Sequence, residues 1–326
     1  MIETTHRYIA LNNTVLLQEN VPLADKSWFK TGGNARYYAE PTTIEEFQEA
    51  IMWAHHHALP IFILGEGANI LIADTGFHGL VIKPIITTIY ATAFNATHSL
   101  VTAGAGCSFP SLINYCLENN YTGLEEFSGI PGTVGGSVYI NIHYFEFLLA
   151  QFLHSATVIN RNTGAILIVD NAWFNFGYNA SKLQEKEYFI IDATFIVKNA
   201  SIIETAYACG RKDEMIRHRT SRYPTSRTCG SFFRNFLNHE VTLISNGKKM
   251  MYVAYYLDKI GVKGQLSIGG ASVSYQHANM LVSSATATSS DIVLLARAMQ
   301  EKVLQQFGII PQPECILVGF DVYPLL

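Results

Sequence analysis

Charge of either sign is scarce in this chain, and its cysteines form no pattern. Charged residues make up 15% of 326, and the formal net charge is −4. Phosphate backbones are bound through an excess of Lys and Arg, so nucleic acid is not expected as a partner. The five cysteines (Cys107, Cys116, Cys209, Cys229 and Cys315) are odd in number and contain no C-x-x-C pair. That disfavours both a disulfide framework and a thiolate zinc site. No apolar run approaches the roughly 18 residues of a membrane span. The nearest, IHYFEFLLAQFLH (142–154), is broken by Glu146, so no membrane partner is expected. The opening MIETTHRYIALNN has no basic segment followed by an apolar stretch; a secretory leader is not expected, and a cytoplasmic protein is. GxxxxGK[ST], HExxH and GxSxG are missing, which removes the P-loop, zincin and nucleophile-elbow classes. His55–His57 end a predicted helix, where cations suit the dipole, and no metal site is expected there.

What is present describes an ordered protein of two or three domains: 49% of the residues are hydrophobic. TTIEEFQEAIMWAHHH (42–57) predicts a Thr-capped helix, with Phe47, Ile51 and Ala54 on one face. IFIL (61–64), GEGAN (65–69) and ILI (70–72) read as strand, glycine turn, strand. Strands are predicted in 79–85, 99–106, 155–160, 165–169 and 188–197, and a helix over 109–120. RKDEMIRHRTSR (211–222) concentrates five cations. Beyond it, KKMMYVAYYLDKIG (248–261) predicts a helix with Met250, Val253, Leu257 and Ile260 on one face, stopped by Gly261. SDIVLLARAMQEKVLQQFG (290–308) predicts another, with Ser290 as cap and Gly308 as stop.

Three stretches carry candidate chemistry. GEGAN lacks the full G-x-G-x-x-G fingerprint, so its residues alone allow a phosphate-facing turn or a plain tight turn. GIPGTVGG (129–136) spends four glycines and a proline in eight residues. Such freedom suits backbone approaching a ligand, or another backbone. In TCGSFFRN (228–235), Ser231 follows a glycine, and nucleophile, proton donor and turn residue all remain open. The basic stretch 211–222 reads equally as an anion site or a solvated face.

Seven motifs occur in a fixed order: WFKTGGNARYYAEP (28–41), ILGEGANILIADTGFHGLVIK (63–83), AGAGCSF (103–109), GLEEFSGIPGTVGGSVYIN (123–141), CGSFFRN (229–235), IGGASVSYQHANMLV (268–282) and PQPE (311–314). Together they resemble the UDP-N-acetylenolpyruvoylglucosamine reductases over about residues 20–320. The resemblance implies an α+β fold: a PCMH-type FAD-binding module of two α+β subdomains (1–84 and 85–205) and a C-terminal substrate domain (206–326). It implies FAD as cofactor, NADPH as co-substrate and a UDP-sugar as substrate. Gly65, Glu66, Gly67, Ala68 and Asn69 would bind FAD, as would Gly129, Ile130, Pro131, Gly132, Thr133, Gly135, Gly136 and Asn141. Ser231 stands at the family's proton-donor position and Glu314 at that of its partner glutamate. Tyr178, Arg219, Arg222, Arg234, Asn235 and His277 would contact substrate.

The chain also departs from the family. Tyr-Arg-x-Ser reads Tyr-Asn-Ala-Ser here, which puts Asn179 where a catalytic arginine is expected, and an amide cannot make the charge-assisted bidentate pair of a guanidinium. Lys182 is a candidate substitute cation, provided 178–182 is helical. Ile142 and His143 replace small residues after Asn141, Ala68 replaces a serine, and Phe236 replaces a proline. These departures motivate an alternative expectation, a flavin- or UDP-sugar-binding paralogue with little reductase activity.

Overall fold

The computed structural model describes residues 7–11, 15–245 and 247–326. Its helices and strands are mixed throughout, as expected for an α+β protein, and they form two compact units. The first comprises residues 1–21, 35–66 and 78–219, and the second 22–34, 67–77 and 220–326. This differs from the division at 84 and 205. The segments 22–34 and 67–77 join the second unit, and residue 205 lies inside a continuous helix, Ile202–Arg222 (α4).

In the first unit, one sheet runs Tyr8–Leu11, Val15–Pro22, Asn34–Ala39, Phe77–Ile82, Ile61–Ile63. Helix Ile44–His56 (α1) is capped by Thr43, whose side chain accepts from Glu46 N–H. Its buried Phe47, Ala50, Ile51 and Ala54 pack with Leu80 and Ile82, the predicted face. The second sheet runs Ile166–Asp170, Leu153–Asn160, Tyr188–Asn199, His98–Gly104, Ile89–Ala93. The central strand Tyr188–Asn199 alternates in burial, and its Phe195 and Val197 join the core beneath helix Phe109–Glu118 (α2). A six-residue helix, Val134–Tyr139 (α3), follows the glycine run.

The second unit is built on Phe29, Leu71, Phe232, Phe233, Tyr256, Leu257, Leu295 and Met299, all at most 1% exposed. Strand Ile70–Ile72 pairs in parallel with Ile316–Val318, and a three-stranded meander runs Ser267–Ile268, Ala271–Val273, Leu281–Ser283. Two predicted boundaries move. The helix expected over 248–261 is confined to Val253–Lys259 (α5), because Lys248–Lys249 folds back on Ile244–Ser245 and Met250 N–H bonds to the Leu243 carbonyl. The last helix, Ser289–Phe307 (α6), is capped by Thr288 in a reciprocal box with Asp291. Ser290 instead donates its hydroxyl to Asp74 at 2.6 Å, and Gly308 ends the helix at φ +70 as predicted.

Candidate functional site

The glycine run opens the candidate cofactor region of the first unit. Ser128 ends a 3-10 turn, and its buried hydroxyl has no hydrogen-bond partner among the described residues. Gly129 (φ +80) and Gly132 (φ +144) take conformations that L side chains resist. Ile130 and Pro131 lie between them. Thr133 then caps α3, its Oγ1 accepting from Gly136 N–H at 3.1 Å. The two readings of this run divide residue by residue. A Cβ on Gly135 would lie 3.0 Å from Ala105 and Ile190, and one on Gly65 would lie 2.8 Å from Thr133 Oγ1, so both glycines permit close packing. A Cβ on Gly132 would meet nothing nearer than 3.9 Å. Open backbone at Gly132 and an unpaired buried hydroxyl at Ser128 are features that a large polar cofactor fits.

Asn141 is not available to a ligand in the simple way expected. Its buried amide donates to the Gly177 carbonyl at 3.0 Å and accepts from Ala150 N–H at 2.9 Å. It thereby ties the end of α3 to the segment carrying Tyr178 and Asn179. Ile142 is 4% exposed and belongs to the core. His143 and Tyr144 form a two-residue hairpin with Phe147 and Leu148. The His143 ring lies 4.9 Å from that of Tyr178, and burial lowers the pKa of His143.

Asn179 sits at φ +52, with its side-chain nitrogen buried and unpartnered among the described residues. Lys182 does not follow it on a helical turn. Gly177 and Ala180 close a tight bridge, and a 3-10 turn begins only at Lys182. The Lys182 ammonium instead lies 4.8 Å from the centre of the Trp173 ring. We therefore expect Lys182→Ala to leave turnover within about twofold while costing about 0.5–1 kcal/mol of stability; steady-state kinetics and a melting curve check both.

The basic stretch lies on α4, and much of it is paired. Arg211 grips Glu126 at 2.5 and 2.7 Å, Lys212 reaches Asn114, and Arg217 pairs with Glu214. Arg219 donates to the Gly129 carbonyl at 3.0 Å and lies over the Tyr144 ring, so it braces the glycine run. Arg222, at the helix end, is exposed.

In the second unit, GEGAN supplies Gly67, Ala68 and Asn69, while Gly65 and Glu66 belong to the first. Asn69 Nδ2 donates to the Glu314 carbonyl at 3.3 Å. The segment carrying Ser231 lies between two others. On one side Ser231 forms an antiparallel bridge with Met280. On the other, Phe233 bridges Pro313, and the Phe232 carbonyl accepts from Glu314 N–H at 2.8 Å and Cys315 N–H at 3.2 Å. Ser231 and Glu314, 83 positions apart in sequence, thus stand on adjoining hydrogen-bonded segments.

Around them, residues expected to meet substrate have structural partners. The Arg234 fork closes on Glu240 at 2.7 and 2.8 Å. Asn235 Oδ1 accepts Val253 N–H at 3.2 Å, the first residue of α5. Phe236 is buried against Tyr256 and donates its N–H to Met251, a bond that the family's proline could not make. His277 packs edge-on to Tyr223, and its Nδ1 accepts from Asn279 N–H, which leaves Nε2 as the donor of the neutral ring. Burial lowers its pKa, with Lys263 and Arg222 adding to that effect and Asp258 opposing it.

Arg234 holds the Glu240 carboxyl at about 2, below its usual 4.5, against the opposing effect of burial; Leu237 N–H assists. A depressed carboxyl stabilises the fold above its unfolded pKa and loses that contribution as pH falls through the folded value. Glu240→Gln is therefore expected to be less stable than the parent at neutral pH, with the gap closing between pH 4.5 and about 2. Denaturant midpoints across that range measure it.

Two family models match the chain: the UDP-N-acetylenolpyruvoylglucosamine reductase C-terminal domain at residues 222–318, and an FAD binding domain at 35–170. A curated UDP-N-acetylenolpyruvoylglucosamine reductase of Clostridium botulinum is 30% identical over 309 residues, covering 94% of each chain. One from Synechococcus sp. is 32% identical over 315 residues, covering 96% of each. The crystal structure of the Thermus caldophilus enzyme superposes with a TM-score of 0.74 at 25% identity, covering 93% of this chain and 99% of that one. With relatives this similar along nearly its whole length, the chain belongs to the UDP-N-acetylenolpyruvoylglucosamine reductase family.

Proposed function

We propose that this protein reduces UDP-N-acetylglucosamine enolpyruvate to UDP-N-acetylmuramate with NADPH, in peptidoglycan precursor synthesis. When bound, FAD supplies the two-electron chemistry linking NADPH oxidation to reduction of the enolpyruvyl double bond. Gly129, Gly132 and the Ser128 hydroxyl would help hold it.

The protein's own chemistry is proton delivery. As the enolpyruvyl double bond is reduced, negative charge develops on the substrate carboxylate and the α-carbon must receive a proton. Ser231 O–H donates it, and Glu314 polarises the enolate site. A positioned acid of this kind contributes about 10²–10⁴-fold. The observation that carries the reading is the pairing of the Ser231 and Glu314 segments through Phe232. An enzyme is favoured over a paralogue that only binds by the similarity to curated reductases along nearly the whole chain.

The test is anaerobic. The flavoprotein is reduced with NADPH, UDP-N-acetylglucosamine enolpyruvate is added, and flavin absorbance is followed. Prompt reoxidation with UDP-N-acetylmuramate as product is expected; flavin that stays reduced would overturn the assignment.

A further inference from the structure

We infer that Asn279 is a positioning residue for proton delivery, its side-chain amide serving as a substitute strand that holds Ser231 in register with Glu314; this rests on the reading of Ser231 as the acid. The bridge between Ser231 and Met280 begins an antiparallel ladder whose next pair would join Phe233 to Ala278. That pair does not form, because the chain turns between His277 and Met280, closed by Met280 N–H on the His277 carbonyl at 3.1 Å. Asn279 takes over both bonds. Its Oδ1 accepts Phe233 N–H at 3.0 Å, and its Nδ2 donates to the Phe233 carbonyl at 2.7 Å. Its own carbonyl accepts Phe232 N–H at 2.8 Å.

These contacts are buried. Asn279 is 3% exposed, and Phe232 and Phe233 are fully buried. Water cannot replace a lost bond there, so removing the amide leaves the Phe233 peptide unsatisfied and free to slip. Phe233 lies two residues from Ser231, and its neighbour Phe232 carries the bonds to Glu314 and Cys315. A slip in this segment changes the spacing between Ser231 and Glu314. Misplacing a reacting group by about 1 Å can cost about 10²-fold in rate.

The two half-reactions separate this role from a general structural one, since NADPH oxidation does not need Ser231. Two variants are made in the holoenzyme. Asn279→Leu deletes both bonds. Asn279→Asp keeps the Phe233 N–H bond, and its protonated form replaces the amide donor with O–H; facing a carbonyl in a buried site, its pKa should be raised. For Asn279→Leu, reoxidation by the enolpyruvyl substrate should slow by about 10²-fold while reduction by NADPH stays within about twofold. In Asn279→Asp, reoxidation alone should acquire a new pH dependence, close to the parent at low pH and falling as the aspartate ionises. Ser231→Ala is run beside them. Normal reoxidation in Ser231→Ala overturns both the acid assignment and the inference. Slow reoxidation there, with Asn279 variants that change neither half-reaction or slow both equally, overturns the positioning role alone.

Discussion

Ser231→Ala is expected to slow reoxidation of the reduced flavin by the enolpyruvyl substrate about 10³-fold, with reduction by NADPH unchanged. The size follows from the chemistry. Without the hydroxyl, a proton must reach the α-carbon from a source that is not held in place, while electrostatic help from Glu314 persists. The substitution removes one oxygen from a segment whose backbone bonds, to Met280 on one side and from Glu314 on the other, do not involve the hydroxyl. The parent's melting temperature should therefore be kept. Rapid-mixing absorbance of the two half-reactions, run separately, measures the effect. Equal rates of reoxidation in parent and variant would remove Ser231 from the mechanism.

The sequence made the elements legible wherever periodicity and caps agreed. Thr43 and the buried face of α1 are where the pattern put them, as are α2 and the strands on either side of GEGAN. Local pattern failed where tertiary bonds decide. The Tyr252 boundary of α5 depends on an amide at Asn235 and a fold-back at Leu243, neither of which periodicity can register. Likewise, Ser290 and Thr288 are both reasonable caps in isolation. Asp74, more than 200 positions away, takes the Ser290 hydroxyl and leaves the cap to Thr288.

The candidate site shows the same division. Ser231 and Glu314 could be named from motifs, but only the fold shows that Phe232 joins their segments. Arg234, Asn235 and Asn141 carry functional groups that look available in a sequence. In the structure they meet Glu240, Val253, Gly177 and Ala150. Asn279 carries little signal in the sequence. Its signal is one amide between Ala278 and Met280 in a stretch that otherwise reads as apolar, and the bonds it makes are invisible until Phe233 lies beside it.

Gly67→Ala is expected to lower the melting temperature by about 5–15 °C and to yield protein with little bound flavin. Gly67 has φ +68, and a Cβ there would lie 2.2 Å from the Lys26 carbonyl oxygen and 2.9 Å from Ser27 Cα. Both neighbours are backbone, so no rotamer change relieves the clash. The Gly67 carbonyl also accepts Trp28 N–H at 3.0 Å, which fixes the two segments against each other. Left-handed strain of about 1–2 kcal/mol and overpacking of about 1–3 kcal/mol add to roughly 2–5 kcal/mol. At about 2–4 °C per kcal/mol, the figure for domains of about 150–250 residues, the products span roughly 4–20 °C, and the stated range is the middle of that span. Gly230→Ala separates the two contributions. Gly230 has a similar φ of +78, but nothing lies within 4 Å of its Cβ position. It should therefore pay the conformational cost alone, lose only a few degrees, and keep its flavin. Melting curves together with flavin absorbance per protein decide the matter. Equal shifts in the two variants would mean that backbone conformation, and not the contact with Lys26, is what glycine provides in this turn.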